Sequence, residues 1–246
     1  MEIEIFILFC LVLFFASFVH TAIGFGLLLV STPIFALFTD IQTAIIYLLF
    51  PTIAINIFSI YNSGNFLYAI KKYLPLAILT TIGTAIGTQL LINFQSDLFK
   101  ILLALVIFFY LFSKKLHINY SWIKNKPKSS LLTFGIGSGL IGGLTNAIGP
   151  FLIIYTLESK YKKNELIQAT NLCFLFGKLT QLILFSINDV LTYEQSLNSL
   201  FLTPVVLIGF YFGIKIKDKI NEDNYRKIIK ILLTFIALLL IYQSIV

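Results

Sequence analysis

The chain has 246 residues, of which 58% are hydrophobic and only 12% charged, with a mean hydropathy of +0.93. A soluble domain carries about a quarter charged residues, so this composition excludes an ordinary water-soluble enzyme. The net charge of +7 does not indicate a nucleic-acid binder, because the basic residues sit in short loops between apolar segments.

The apolar segments run, in chain order, over 5–19, 22–38, 43–61, 74–93, 98–113, 131–144, 146–157, 166–187, 198–214 and 228–245. At about 20 apolar residues per crossing, six of them can span a bilayer as helices. The other four form two pairs, 5–19 with 22–38 and 131–144 with 146–157. Glycine-rich or polar sequence breaks each pair, at Thr21–Gly26 and at Gly142–Asn146. Each member is short for a crossing, which predicts two helical hairpins that enter and return to one face. The first segment follows Glu2 and Glu4 with no basic residue and is read as mature protein rather than a signal peptide. Cys10 and Cys173 both lie in apolar stretches, which argues against a disulfide framework.

Loop charge gives the expected orientation. Loops 62–73, 114–128, 158–165 and 215–227 hold the arginine and most of the lysines, whereas the loops near 39–42, 94–97 and 188–197 hold acids without lysine or arginine. The positive-inside rule places the basic loops in the cytoplasm and both termini outside. Trp122 and Tyr120 suit an interfacial aromatic belt beside the most basic loop.

An internal repeat is also visible. Gly83-x-x-x-Gly87 precedes Phe99-Lys100 by the interval at which Gly209-x-x-x-Gly213 precedes Tyr225-Arg226, and a broken hairpin opens each half. The expected fold is an all-α polytopic membrane protein of two inverted repeats. Each repeat is a broken helical hairpin plus three transmembrane helices, about 8–10 helices in all. Residues 1–113 form the first repeat, 114–130 a basic cytoplasmic linker and 131–246 the second repeat. The paired glycines read as close helix packing rather than a site.

All eleven acidic residues lie in loops or at segment ends. That disfavours a cation site or a buried carboxylate relay. Lys178, in contrast, falls midway along 166–187, roughly 15 Å from either edge of a ~30 Å core. An ammonium there costs roughly 2.5–3.5 kcal/mol unless it faces a polar cavity. Asn171 and Gln181 share its helix face, and Thr52, Asn56 and Ser59 form a matching stripe in the first half. Ordinary interhelical hydrogen bonding is the plainer reading of those stripes. The glycine breaks expose helix N-termini, which favour an anion. Gly24 and Gly26 precede one start, Gly142 and Gly143 the other, and Asn146 adds a side-chain donor or cap. Pro33 and Pro150 are expected to kink the helices that follow. His20 precedes the first break, where it either bonds backbone or takes part in proton sensing or substrate binding. His117, in the basic linker, indicates nothing.

His20-Thr-Ala-Ile-Gly-Phe-Gly-Leu-Leu-Leu-Val-Ser-Thr-Pro33 resembles the glycine-rich first motif of the TauE/SafE sulfite exporters, and Ile141-Gly-Gly-Leu-Thr-Asn-Ala-Ile-Gly-Pro150 resembles its second copy. The resemblance covers nearly the whole chain. It implies a non-enzymatic carrier of small anions, such as sulfite or organosulfonates, across the cytoplasmic membrane. The substrate-binding residues expected on this combined reading are Lys178, Asn171, Gln181, Asn56, Gly24, Gly26, Gly142, Gly143, Asn146 and His20. No cofactor or metal is expected. The partners are a small anion, the lipid bilayer and a coupling ion (proton or sodium). Two other classes stay open, a passive anion channel and a membrane subunit of a larger complex.

Overall fold

The computed structural model describes residues 2–24, 26–94, 97–112, 122–216 and 222–245. Expectations for Lys114, Lys115, His117, Tyr120 and the side chains of Tyr225, Arg226 and Lys227 lie outside the described residues. Every described element is a helix. They are α1 (Ile3–Ile23), α2 (Leu27–Phe38), α3 (Ile41–Tyr47), α4 (Leu49–Asn62), α5 (Phe66–Asn93), α6 (Leu98–Phe112), α7 (Trp122–Asn125), α8 (Pro127–Thr145), α9 (Gly149–Glu158), α10 (Lys163–Ile187), α11 (Tyr193–Ile216) and α12 (Glu222–Ile245).

Local chemistry sets several boundaries. The carboxylate of Asp40 accepts from Thr43 N at 2.9 Å to open α3, and Asn65 Oδ1 accepts from Tyr68 N at 2.9 Å to open α5. Glu165 Oε2 accepts from Lys162 N at 2.9 Å at the start of α10. Each bond satisfies a backbone donor that the helix itself leaves free.

The apolar stretch 43–61, expected as one span, is instead α3 and α4 bent by 48°. Pro51 explains the break, since it has no N–H and its ring crowds the carbonyl four residues back, at Tyr47. Among the described residues, α5, α10 and Tyr193–Lys215 of α11 are long and apolar enough to cross a membrane, or four spans if the bent pair counts as one. Leu98–Phe112 and Leu233–Ser244, within the stretches expected as spans, are apolar helical segments, the second part of the 24-residue α12.

The hairpins are asymmetric. Their first arms, α1 and α8, have 21 and 19 residues, longer than expected; their second arms, α2 and α9, have 12 and 10. Each hairpin doubles back. Phe9 near the start of α1 stacks on Phe35 near the end of α2, and Phe134 of α8 lies 5.7 Å from Tyr155 of α9.

Glycines set the tightest helix contacts, as the spacing predicts. A Cβ on Gly83 or Gly87 of α5 would strike the backbone of α8 at Ile136 or Leu140, and one on Gly139 or Gly143 of α8 would strike α5 at Thr80 or Thr84. Gly209 and Gly213 of α11 play the same part against Phe14, Ser17 and Thr21 of α1. In both seams the contacts advance together along the two chains, so the paired helices run parallel. Thus α5 lies on α8 as α11 lies on α1, and α10 lies on α5 as α4 lies on α11. Helices α4 and α10 also pack on each other, as do α6 and α12.

Lys72 of α5 is ion-paired with Glu165 of α10, which puts loops 62–73 and 158–165 at one end of the bundle. At that end Gln168 Nε2 donates to Asn65 O at 3.3 Å. Large apolar side chains such as Ile3, Phe15, Ile82, Ile183, Phe201 and Phe235 point outward, as a lipid-facing surface requires. Cys10 and Cys173 are both free.

Candidate functional site

Two helix breaks meet the middle of α10. In the first, α1 ends at Gly24, which takes the left-handed conformation (φ 89°) and donates its N–H to His20 O at 2.6 Å. Gly26 follows at φ 132°, and α2 starts at Leu27 without a side-chain cap. In the second, α8 ends at Asn146, also left-handed (φ 66°), whose N–H bonds Gly142 O at 2.8 Å. Asparagine tolerates that region better than most residues. Helix α9 then starts at Gly149, again without a side-chain cap. Gly24 and Asn146 are therefore the corresponding positions of the two hairpins, each three residues before the next helix.

This corrects two sequence expectations. Gly142 and Gly143 do not form the second break; they lie in the last turn of α8. Gly143 is pressed against the backbone of α5, and a Cβ on Gly142 would meet the Ile148 side chain at 2.8 Å. Small residues here serve packing, and the chain turns where the left-handed Asn146 stands. Pro150 does not kink α9 either. It occupies the first turn, where a missing N–H costs nothing.

Helix α10 holds both breaks. Asn171 Nδ2 donates to Gly24 O at 2.7 Å and to Ile167 O at 2.8 Å. Two turns on, Lys178 is 2% exposed. Its ammonium donates to Asn146 Oδ1 at 2.5 Å and to Gln181 Oε1 at 2.7 Å. Asn146 Nδ2 in turn donates to Thr32 Oγ1 of α2 at 3.0 Å, and Gln181 Nε2 reaches towards Gly143 O at 3.5 Å. Both hairpins and α10 thus share one polar network.

Lys178 has amide oxygens for partners and no carboxylate. Among the described residues, no Asp or Glu is buried. The fully buried polar groups near it are Asn, Gln, Thr, Ser and His side chains. An ammonium in that setting lacks a compensating negative charge.

Two narrow cavities flank Asn146. One lies among His20, Gly26, Thr52, Asn56, Asn146 and Phe174; the other among Thr84, Gly142, Asn146, Gly177, Lys178 and Gln181. Each has room for about one water molecule. His20 Nε2 and Ser59 Oγ are 2.9 Å apart, so the histidine bonds a side chain rather than backbone. Asn56 is fully buried, and neither of its side-chain polar atoms has a partner. Asn56 and Lys178 line different cavities, and Asn146 stands between them.

Three contributors were not singled out in the sequence. Thr32 holds the Asn146 amide, Phe174 walls both cavities, and Thr84 presents an unpartnered hydroxyl to the lysine cavity. Thr80, Thr84 and Thr88 recur every four residues on α5, and that stripe is the signal that points to Thr84.

The long apolar helices and the buried polar centre define a multi-pass membrane protein. The family model for the sulfite exporter TauE/SafE matches residues 9–240, and the chain belongs to that family. Its members are membrane transporters. No curated protein and no solved structure matches the chain.

Proposed function

We propose that the chain is a secondary transporter of a small anion, sulfite or an organosulfonate, working by alternating access across the cytoplasmic membrane. The observation that carries this reading is Lys178, buried between two amide oxygens with no buried carboxylate among the described residues. A permeant anion supplies the missing charge. Lys178 provides attraction; the free first-turn N–H groups of α2, after Gly24 and Gly26, and of α9 provide backbone donors. Asn56, Asn171, Gln181 and His20 orient the ligand, and Asn146 shares the ligand's place on Lys178. Gly142 keeps the lysine cavity open, and Gly143 holds α8 close to α5. The cycle breaks no covalent bond.

The reciprocal packing of α5 on α8 and α11 on α1 supports two inverted repeats, residues 1–113 and 131–246, joined by the linker 114–130. The Lys72–Glu165 pair supports a common face for loops 62–73 and 158–165, and their basic residues support reading that face as cytoplasmic, with both termini outside.

Flux into proteoliposomes tests the proposal, with sulfite, sulfate and a small sulfonate as probes. Wild-type flux is expected to saturate, and Lys178→Met to lower it roughly 30-fold or more, equivalent to about 2 kcal/mol of lost charge-assisted binding. Undiminished flux in a folded Lys178→Met protein overturns the assignment. Flux that follows an imposed proton or sodium gradient identifies the coupling ion.

A further inference from the structure

The Lys178 ammonium is already occupied. Asn146 Oδ1 and Gln181 Oε1 sit at 2.5 and 2.7 Å, the spacing at which two oxygens of an oxyanion would sit. Gln181 lies one turn along the same helix, so its contact is local. Asn146 comes from the other side of the cavity, in the break between α8 and α9.

We propose that Asn146 is a built-in competitor for the anion: its amide oxygen fills a substrate-oxygen position on Lys178, and the arriving anion displaces it. This rests on the reading of Lys178 as the anion site.

Four observations support the proposal. First, the side chain is not needed for the turn. The corresponding position of the other hairpin is Gly24, which makes the same left-handed cap with no side chain. Second, Asn146 is held from outside by one amide donor bond, to Thr32 Oγ1, and lies where the helical ladder is interrupted, so its rotation breaks little structure. Third, Asn146 lines both cavities. Each takes about one water, which is too small for a sulfur oxyanion. In this proposal the amide swings aside, uncovers the ammonium and opens one cavity to the other between the shared walls of Leu28 and Phe174. Fourth, each cavity holds a buried polar group without a partner, Asn56 on one side and the Thr84 hydroxyl on the other. The joined space brings both within reach of one ligand.

In the empty carrier the amide gives the lysine a neutral partner. It thereby lowers the cost of the unloaded state and holds affinity down, which favours release.

Sulfite binding to the solubilised full-length chain, with flux in proteoliposomes, tests this in three variants. Asn146→Gly keeps the left-handed turn and removes the competitor; it is expected to bind sulfite at least fivefold more tightly and to saturate at lower concentration. Asn146→Asp pairs permanently with Lys178 and is expected to weaken binding more than tenfold. Lys178→Met is expected to lose binding. Unchanged or weaker sulfite binding in Asn146→Gly, with Lys178→Met inactive and both proteins unfolding at the wild-type temperature, overturns the competitor role alone. Wild-type binding in Lys178→Met overturns the anion site on which it stands.

Discussion

The two hairpins solve one backbone problem with different residues. Both end a long first arm in a left-handed residue whose N–H bonds the carbonyl four back, and both restart three residues later. Gly24 does this with a bare backbone, and Asn171 reaches in from α10 to take its carbonyl. Asn146 does it with a side chain that reaches out to α10 and meets Lys178. The turn geometry is common to both, so it is architecture. The side chain is particular to one, so it is the part free to carry specificity.

Substitutions at the two turns should separate these roles. The largest stability effect is expected for Gly24→Ala. A left-handed alanine costs about 1–2 kcal/mol, and its Cβ would collide with the Ile167 side chain, adding about 1–3 kcal/mol. Chemical unfolding in detergent reads the sum. A neutral result would mean that the first turn is not held as described.

Asn171→Leu comes next. It strips the Gly24 carbonyl of its side-chain donor within a buried setting, at about 1–3 kcal/mol. Proteolytic accessibility of the first hairpin should rise while the second stays protected; equal loosening of both would erase the distinction between them. Asn146→Gly is expected to change stability by less than about 1 kcal/mol, because glycine accepts the same φ, even as it changes anion affinity. The smallest effect belongs to Lys72→Met. The pair with Glu165 is partly exposed, with side chains 38% and 28% accessible, and such pairs contribute about 0–1 kcal/mol. A larger loss on unfolding would make this contact a structural latch between α5 and α10.

Much of this was legible in the sequence, and the failures have physical causes. Apolar segment lengths and their breaks marked both hairpins, and the paired glycines marked α5 and α11 as closely packed helices without naming their partners. A charge stranded in an apolar run singled out Lys178. The second break was misplaced because glycine serves two purposes: Gly142 and Gly143 are chosen for the absence of a side chain against helical neighbours, whereas the turn falls on an asparagine. The bend at Leu48 was missed because hydropathy does not register how Pro51 crowds a carbonyl. The Lys178–Asn146 contact joins residues of different helices whose spacing follows no local period, so only the folded chain brings it into view.

The crossed seams have a consequence for synthesis. Helix α1 leaves the ribosome long before α11, whose glycines fit against it. Helix α5 likewise waits for Ile136–Gly143 of α8. Until these partners are made, the nascent chain carries both grooves unfilled. The α1–α11 seam therefore closes late, with the slow kinetics that distant pairings impose.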